Sequence, residues 1–449
     1  MIRSLILVTF ALVLVSWTGG IFSPASSGPL GVLSLIRGSA EDENPPPAAA
    51  QVMQAQQISY ADFDFAGGTV FPPRAEVRIG DVEVAPGASE VHVPIILDRS
   101  PPNTVAARVL TRNGSAYEGR HFDRVDTWVF FRPGDPLIQT VRIPLRDLGE
   151  ARHFELIFPS GVVGGKEARA GGRITGRAGA PPSTPMTEGF RPPRRFSPGG
   201  SPVYDLDLAQ VRWSDGGSSG AWSTRLPHGR TQPANAETGL YLDPARHRSP
   251  RPAIAVEDGA LVLRSQQLTD GIEHDGAVWW HGAAVLTGQK MPTTHIRYGQ
   301  YQWEAMMPNR RGAWPALWLL PVTGWPPEID VYEGFGDSRD FDFERHISAN
   351  LHGGSKGRRG FTVPMRMDAQ SAYGLAGFDR AYHRFAVDIA PDFITWFVND
   401  TEVFQAVNPF RETTWFPLMT VAVKHKGDYR GGNGEMRVRA FRVWAAPEN

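Results

Sequence analysis

Beyond the first forty residues the chain alternates. Apolar side chains fall at every second position in short runs, as in "EVHVPIIL" (90–97), "TWVFF" (127–131) and "QTVRIPL" (139–145). A period of two puts successive side chains on opposite faces of an extended strand, so each run predicts a strand with one buried face. Turn chemistry separates the runs, in "RNGS" (112–115) and "RPGD" (132–135). No stretch sustains a helical period of 3.6. The pattern predicts an all-β chain.

Two strand-poor stretches divide it. "EDENPPPAAAQVMQAQQ" (41–57) and the Pro/Gly/Arg-rich segment at 176–202 read as linkers. They bound a block at 58–175, the size of a small immunoglobulin-like β-sandwich, and a block at 203–449, the size of one large sandwich. Ahead of both, "MIRSLILVTFALVLVSW" sets one early Arg before an apolar stretch from Leu5 to Trp17. That is the layout of a secretory signal. The apolar run continues to Phe22, close to the ~20 residues that span a bilayer. Residues 1–40 are expected to be a cleaved signal peptide or a retained membrane anchor. Either way the bulk of the protein is expected to be exported, to the periplasm or beyond.

Composition narrows the partners. A net charge of -1 carries no basic bias toward nucleic acid. The absence of cysteine excludes a disulfide framework and a thiolate metal site, so apolar cores must supply stability. Eleven of the 13 tryptophans lie in the second block, more than a core of that size needs. Indoles along a groove stack on the CH-rich faces of sugar rings, so the expected partner is a polysaccharide. The oligomeric state is not legible.

The second block also contains "WPPEIDVYEGFG" (325–336), with Glu328, Asp330 and Glu333 in six positions. Like charges sharing one sheet face destabilise it, so structure alone gives little reason to cluster them. In a regular strand Glu328 and Asp330 share a face and Tyr332 comes next. A β-bulge inserts one residue, so the face repeats at +2 and then +3, and Glu333 joins the other two acids. Three carboxyls on one side suit glycoside cleavage. One attacks the anomeric carbon, a second protonates the leaving oxygen, and the middle one shares a proton with the nucleophile.

At these residues the chain resembles glycoside hydrolase family 16, whose signature is E-x-D-x-E, or E-x-D-x-x-E where the strand bulges. The likeness extends to "RYGQYQWEAMMPNRRGAWPALWLLP" (297–321), "FDRAYHRFAVDIAPDFITWFVNDTEV" (378–403) and "MRVRAFRVW" (436–444). It implies a jelly-roll sandwich with a concave sugar cleft and a retaining endo-hydrolase of internal β-linkages. It implies Glu328 as nucleophile, Asp330 as assisting acid, Glu333 as acid/base, and no metal or organic cofactor in the chemistry. Substrate-binding candidates are Trp314 and Trp318, four apart on one strand and either sugar platforms or core. His352, expected on the neighbouring strand, joins them, as do Asn235 and Glu237, where the family carries an N-E pair beside its donor-side subsites. Trp303 and Trp279 are weaker candidates, and His383 reads as structural. The chain departs from the family at "TVAVKHKGDYRGG" (420–432), where Lys424, His425, Lys426 and Arg430 gather. With Arg310, Arg311, Lys356, Arg358 and Arg359 they point to an acidic glycan, such as a bacterial exopolysaccharide, as well as to a β-1,3-type glucan. Transglycosylation at the same site and non-catalytic glycan binding or envelope assembly are the rival readings.

Residues 108–145 in turn resemble a Calx-beta domain. Members of that family often bind calcium through acids near the last strands. Here Asp147, Glu150 and Glu155 are the acids for a structural calcium, and the interleaved Arg146, Arg152 and His153 would compete with it.

Overall fold

A computed structural model describes residues 75–80, 82–84, 87–146, 152–159, 169–174, 191–334, 344–355, 358–424 and 434–447. The N-terminal apolar segment, the first linker and residues 176–190 of the second lie outside them, as do Asp147 and Glu150. Among the described residues strand dominates, and the longest helix is the five-residue Ala369–Tyr373. The fold is all-β, as the alternation predicts.

The first block forms two facing sheets. Val77–Ile79, Glu90–Leu97 and Ile138–Pro144 make one. Val82–Val84, Arg169–Ile174, Arg152–Ile157, Val105–Asn113 and Asp126–Phe131 make the other. Glu90–Leu97 shows the alternation plainly, with Val91, Val93, Ile95 and Leu97 inside and the residues between them at the surface. They meet Val109, Val129, Phe131 and Phe154 in one core. Of the calcium candidates, Glu155 is bound by the Arg112 guanidinium, a counter-ion in the place a metal would need.

The second block is a large sandwich. One sheet runs in the order Ile254–Glu257, Ala260–His274, Gly434–Ala445, Gly299–Met306, His383–Ile389, Phe393–Val398, Thr401–Val407. The other runs Trp222–Ser223, Ala277–Thr287, Trp415–Val423, Ala313–Pro321, Glu328–Glu333, His346–Ser355, Arg358–Asp368. Between the sheets lies a core that includes Trp303, Tyr332, Phe385, Trp396, Trp415 and Phe441. Trp303 is fully buried there and does not reach a cleft. His383 lies in the sheet opposite the acids, its Nδ1 held by Asn399. On the outer face of the acid-bearing sheet a smaller apolar cluster, with Trp314, Leu320, Phe416 and Ala422, floors a concave surface.

The edge strand Thr401–Val407 is covered by the preceding chain. Asn103 bridges Ala406, Thr104 N–H donates to the Gln405 carbonyl at 2.8 Å, and Arg195 bridges Thr401. An uncovered edge would offer unpaired amides to other chains. Beside it, Phe130 of the first sandwich stacks on Tyr373 of the second at 5.3 Å. Glu402, fully buried, takes Arg132 Nε at 2.9 Å and both terminal nitrogens of Arg191 at 2.8 and 2.9 Å.

Candidate active site

The strand that carries the acids is bulged. Ile329 pairs with Leu319, Asp330 with Trp318, Tyr332 with Leu317 and Glu333 with Ala316. Val331 is the extra residue. Val331 and Tyr332 both turn into the inter-sheet core, where Tyr332 packs against Phe378 and Phe385. Two consecutive inward side chains return Glu333 to the face of Glu328 and Asp330. All three carboxyls line one cleft of about 590 Å³, with Trp314, Trp318, Trp325, Asn235 and Glu237 in its walls.

Each acid has its own partners. Trp325 Nε1–H donates to Glu328 Oε2 at 2.8 Å. Trp314 Nε1–H donates to Glu333 Oε1 at 3.2 Å, and the Asn350 amide donates to Glu333 Oε2. The Asp330 carbonyl accepts Trp396 Nε1–H at 2.9 Å, which pins the strand to the core. His352, paired with Glu328 across the strands, sets its Nε2 3.1 Å from Asp330 Oδ2 and 3.9 Å from Glu328 Oε1. Its Nδ1 meets Thr362 Oγ1 at 2.8 Å, which fixes the ring.

Burial first, and then the Asp330 charge, push the Glu328 carboxyl well above the usual range, while His352 pulls it back. A carboxyl beside a carboxylate titrates as a pair that keeps one proton. The donor atoms of Glu328, Asp330 and His352 lie within 4.8 Å of one another, a spacing that a cation also fits.

The other candidates are distributed around this centre. Trp318 is half-buried, and its Nε1 meets no acceptor among the described residues. Glu237 is buried in the wall, taking Tyr241 O–H at 2.8 Å and the Asn235 amide at 3.5 Å. Burial pushes its carboxyl up to about 7, against those hydrogen bonds and the Lys424 charge. Trp279 is half-buried, with Nε1 on the His274 carbonyl at 3.3 Å. Arg310 and Arg311 are exposed; Lys356, His425, Lys426, Arg430 and the side chains of Arg358 and Arg359 lie outside the described residues. Trp325, Asn350, Thr362 and Trp396 were not singled out from sequence. Asn350 had a signal, since it stands two before His352 on the same strand face.

Residues 256–437, which include the bulged strand, match the model of the glycosyl hydrolases family 16. This segment is similar to a family 16 domain. Two curated relatives from Rhizobium meliloti (strain 1021) are similar to it. The endo-1,3-1,4-beta-glycanase EglC is 28% identical over 214 residues, 46% of this chain and 42% of that protein. The endo-1,3-1,4-beta-glycanase ExsH is 26% identical over 200 residues, 43% of this chain and 40% of that protein. The chain thus spans less than half the length of either. Among solved structures, the catalytic domain of an endo-1,3-beta-glucanase (laminarinase) from Thermotoga petrophila RKU-1 aligns with a TM-score of 0.45 at 19% identity, over 56% of this chain and 100% of that one.

Proposed function

We propose that the chain is an exported, retaining endo-glycosidase that cleaves internal β-linkages of a polysaccharide. The observation that carries this reading is the bulge, which brings Glu328 and Glu333 to one cleft with different partners. Glu328 Oε attacks the anomeric carbon and Glu333 gives its proton to the leaving oxygen, so the glycosidic bond breaks as the glycosyl–Glu328 ester forms. Glu333, now a carboxylate, takes a proton from water, which attacks the ester and frees Glu328. The Trp325 N–H holds the nucleophile. The Trp314 N–H and the Asn350 amide hold the acid/base in place. Asp330, backed by His352, stands where it can take up the proton that Glu328 gives up before it attacks.

The names of the Rhizobium relatives make mixed 1,3-1,4-β-glycans the first substrates to try; a bacterial exopolysaccharide and a β-1,3-type glucan follow. The N-terminal sandwich is read as a Calx-beta-like module, carried outside the cytoplasm by the apolar segment as signal or anchor. Glu328→Gln is expected to cut hydrolysis by about 10³-fold or more, because it removes the nucleophile. Proton NMR of wild-type product should show the β-anomer first. A first-formed α-anomer, or hydrolysis that survives Glu328→Gln, would overturn the mechanism.

A further inference from the structure

Ten of the eleven tryptophans of the second block are buried or half-buried, and one is not. Trp280 is 55% exposed, and Val278, two positions before it, is 56% exposed. The hairpin of Ala260–His274 and Ala277–Thr287 holds the pair. Gln267 pairs with His281 and Ile272 with Trp279, so residues 268–271 of one strand oppose Trp280 alone. Leu268 anchors this bulge in the core. A Cβ at Gly271 would come 2.4 Å from Val278 Cγ1 and 3.2 Å from Trp280 Cε2 and Cζ2. The glycine backbone therefore lies against the indole and the valine, and a side chain there would push them off. Side chains two apart share a strand face. Val278 and Trp280 thus form one apolar surface, backed by Gly271 and open to solvent on its other side.

Continuity with the cleft and the charge of the hairpin name the occupant. Further along the same strand, Ala283 and Val285 belong to the apolar cluster under the cleft. Ala283 pairs with Tyr241, which lines the cleft with Glu237. The His281 ring hydrogen-bonds the backbone of Thr238, the residue after Glu237. Trp280 therefore stands about 10 Å along the strand from Ala283, past the wall that carries Glu237. An internal bond has polymer on both sides, so the substrate continues beyond the cleft. Asp270, Glu273 and Asp275 are exposed on the hairpin, and residues 266–282 contain no Lys or Arg. Carboxylates repel an anion and accept from hydroxyls. An apolar face with such acceptors beside it fits an uncharged sugar ring, its C–H face on the indole. Resting on the hydrolase reading above, we propose that Trp280 and Val278 form a second glycan-binding site, outside the cleft, that holds an uncharged stretch of the same β-glucan chain. One aromatic platform contributes about 3- to 10-fold in affinity.

The test compares a long mixed-linkage β-glucan with a short oligosaccharide of the same linkages that fills the cleft alone. Kinetics are read on the wild type, Trp280→Ala and Trp280→Tyr, and polymer affinity by electrophoresis through glucan-containing gels on the Glu328→Gln background. Trp280→Ala is expected to raise KM for the polymer about 3- to 10-fold and to weaken retardation in the gel. Its kcat, and both constants on the oligosaccharide, should stay within about 2-fold. Trp280→Tyr, which keeps a ring, should retain most of the retardation. Equal losses on polymer and oligosaccharide, or no loss on either, would overturn the proposal. So would a Trp280→Ala protein that sediments differently while its polymer affinity stays, since the occupant would then be a second copy of the chain. If Trp280→Ala does not fold, the Glu328→Gln protein saturated with the oligosaccharide should still bind the polymer, and loss of all polymer binding counts against a second site. Polymer binding that depends on Trp280 without cleavage of any glycan would instead sink the hydrolase reading and leave this one standing.

Discussion

At the residue scale, Glu237 shows how burial turns a side chain into a pH-dependent load. Its folded carboxyl titrates near 7, above its ordinary value of 4.5. A raised pKa means the folded state binds the proton more tightly than the unfolded one. Stability is then full below the ordinary value, falls as pH rises between the two, and has lost about 3 kcal/mol above pH 7. Tyr241 and Lys424 are the other titratable groups against it. Glu237→Gln keeps the shape and removes the proton, so unfolding midpoints measured from pH 5 to 8 should lose most of this slope. An unchanged slope would place the pH dependence elsewhere. The acid trio was legible in the sequence because clustered like charges need a chemical reason. The groups that hold the trio were not. Trp325 and Trp396 look like any other tryptophan until the fold brings one indole to Glu328 and the other to the Asp330 carbonyl.

At the element scale, the bulge is a testable device. Its spacing was readable, since an apolar Val-Tyr pair sits where one inward residue would do. Which of the pair is unmatched was not readable, because that depends on the register with Ala313–Pro321. Deleting Val331 leaves E-I-D-Y-E, the regular form of the same signature. Glu328, Asp330 and Glu333 then share a face without a bulge, with Ile329 and Tyr332 inward. The deletion removes a buried valine and should lower stability by about 1–3 kcal/mol. Hydrolysis should remain measurable, well above that of Glu328→Gln. A folded but inactive deletion variant would show that the bulge sets the distance between the acids, and not only their shared face.

At the scale of the whole molecule, the chain is more tightly joined than a string of modules. The Pro- and Arg-rich composition of 176–202 reads as a tether, yet its described end, from Arg191, lies along the second sandwich, with Phe196 against Phe397 and Trp444. No local pattern announces this. The partners of Glu402 are Arg132, Arg191 and Arg194, more than 200 positions away in sequence, and only the closed fold reveals a buried glutamate among arginines. Burial would raise the Glu402 carboxyl, but the Arg191 hydrogen bonds and the Arg132 charge outweigh it and hold it below the usual range. A depressed pKa gives stability that is present above the ordinary glutamate value and is lost as pH falls through the folded one. Removing the acid leaves Arg132, itself buried, and Arg191 to share the Asp135 carboxylate, at 3.7 and 3.4 Å. The expected cost of Glu402→Ala is about 3 kcal/mol, because two guanidinium charges are left with one carboxylate between them. Calorimetry should show one transition for both sandwiches in the wild type, and in the variant a lower midpoint or a split into two. A variant that melts with the wild type would mean that the arginines reach solvent once Glu402 is gone, and that Phe130 and the backbone bridges at Asn103 and Thr104 carry the junction alone.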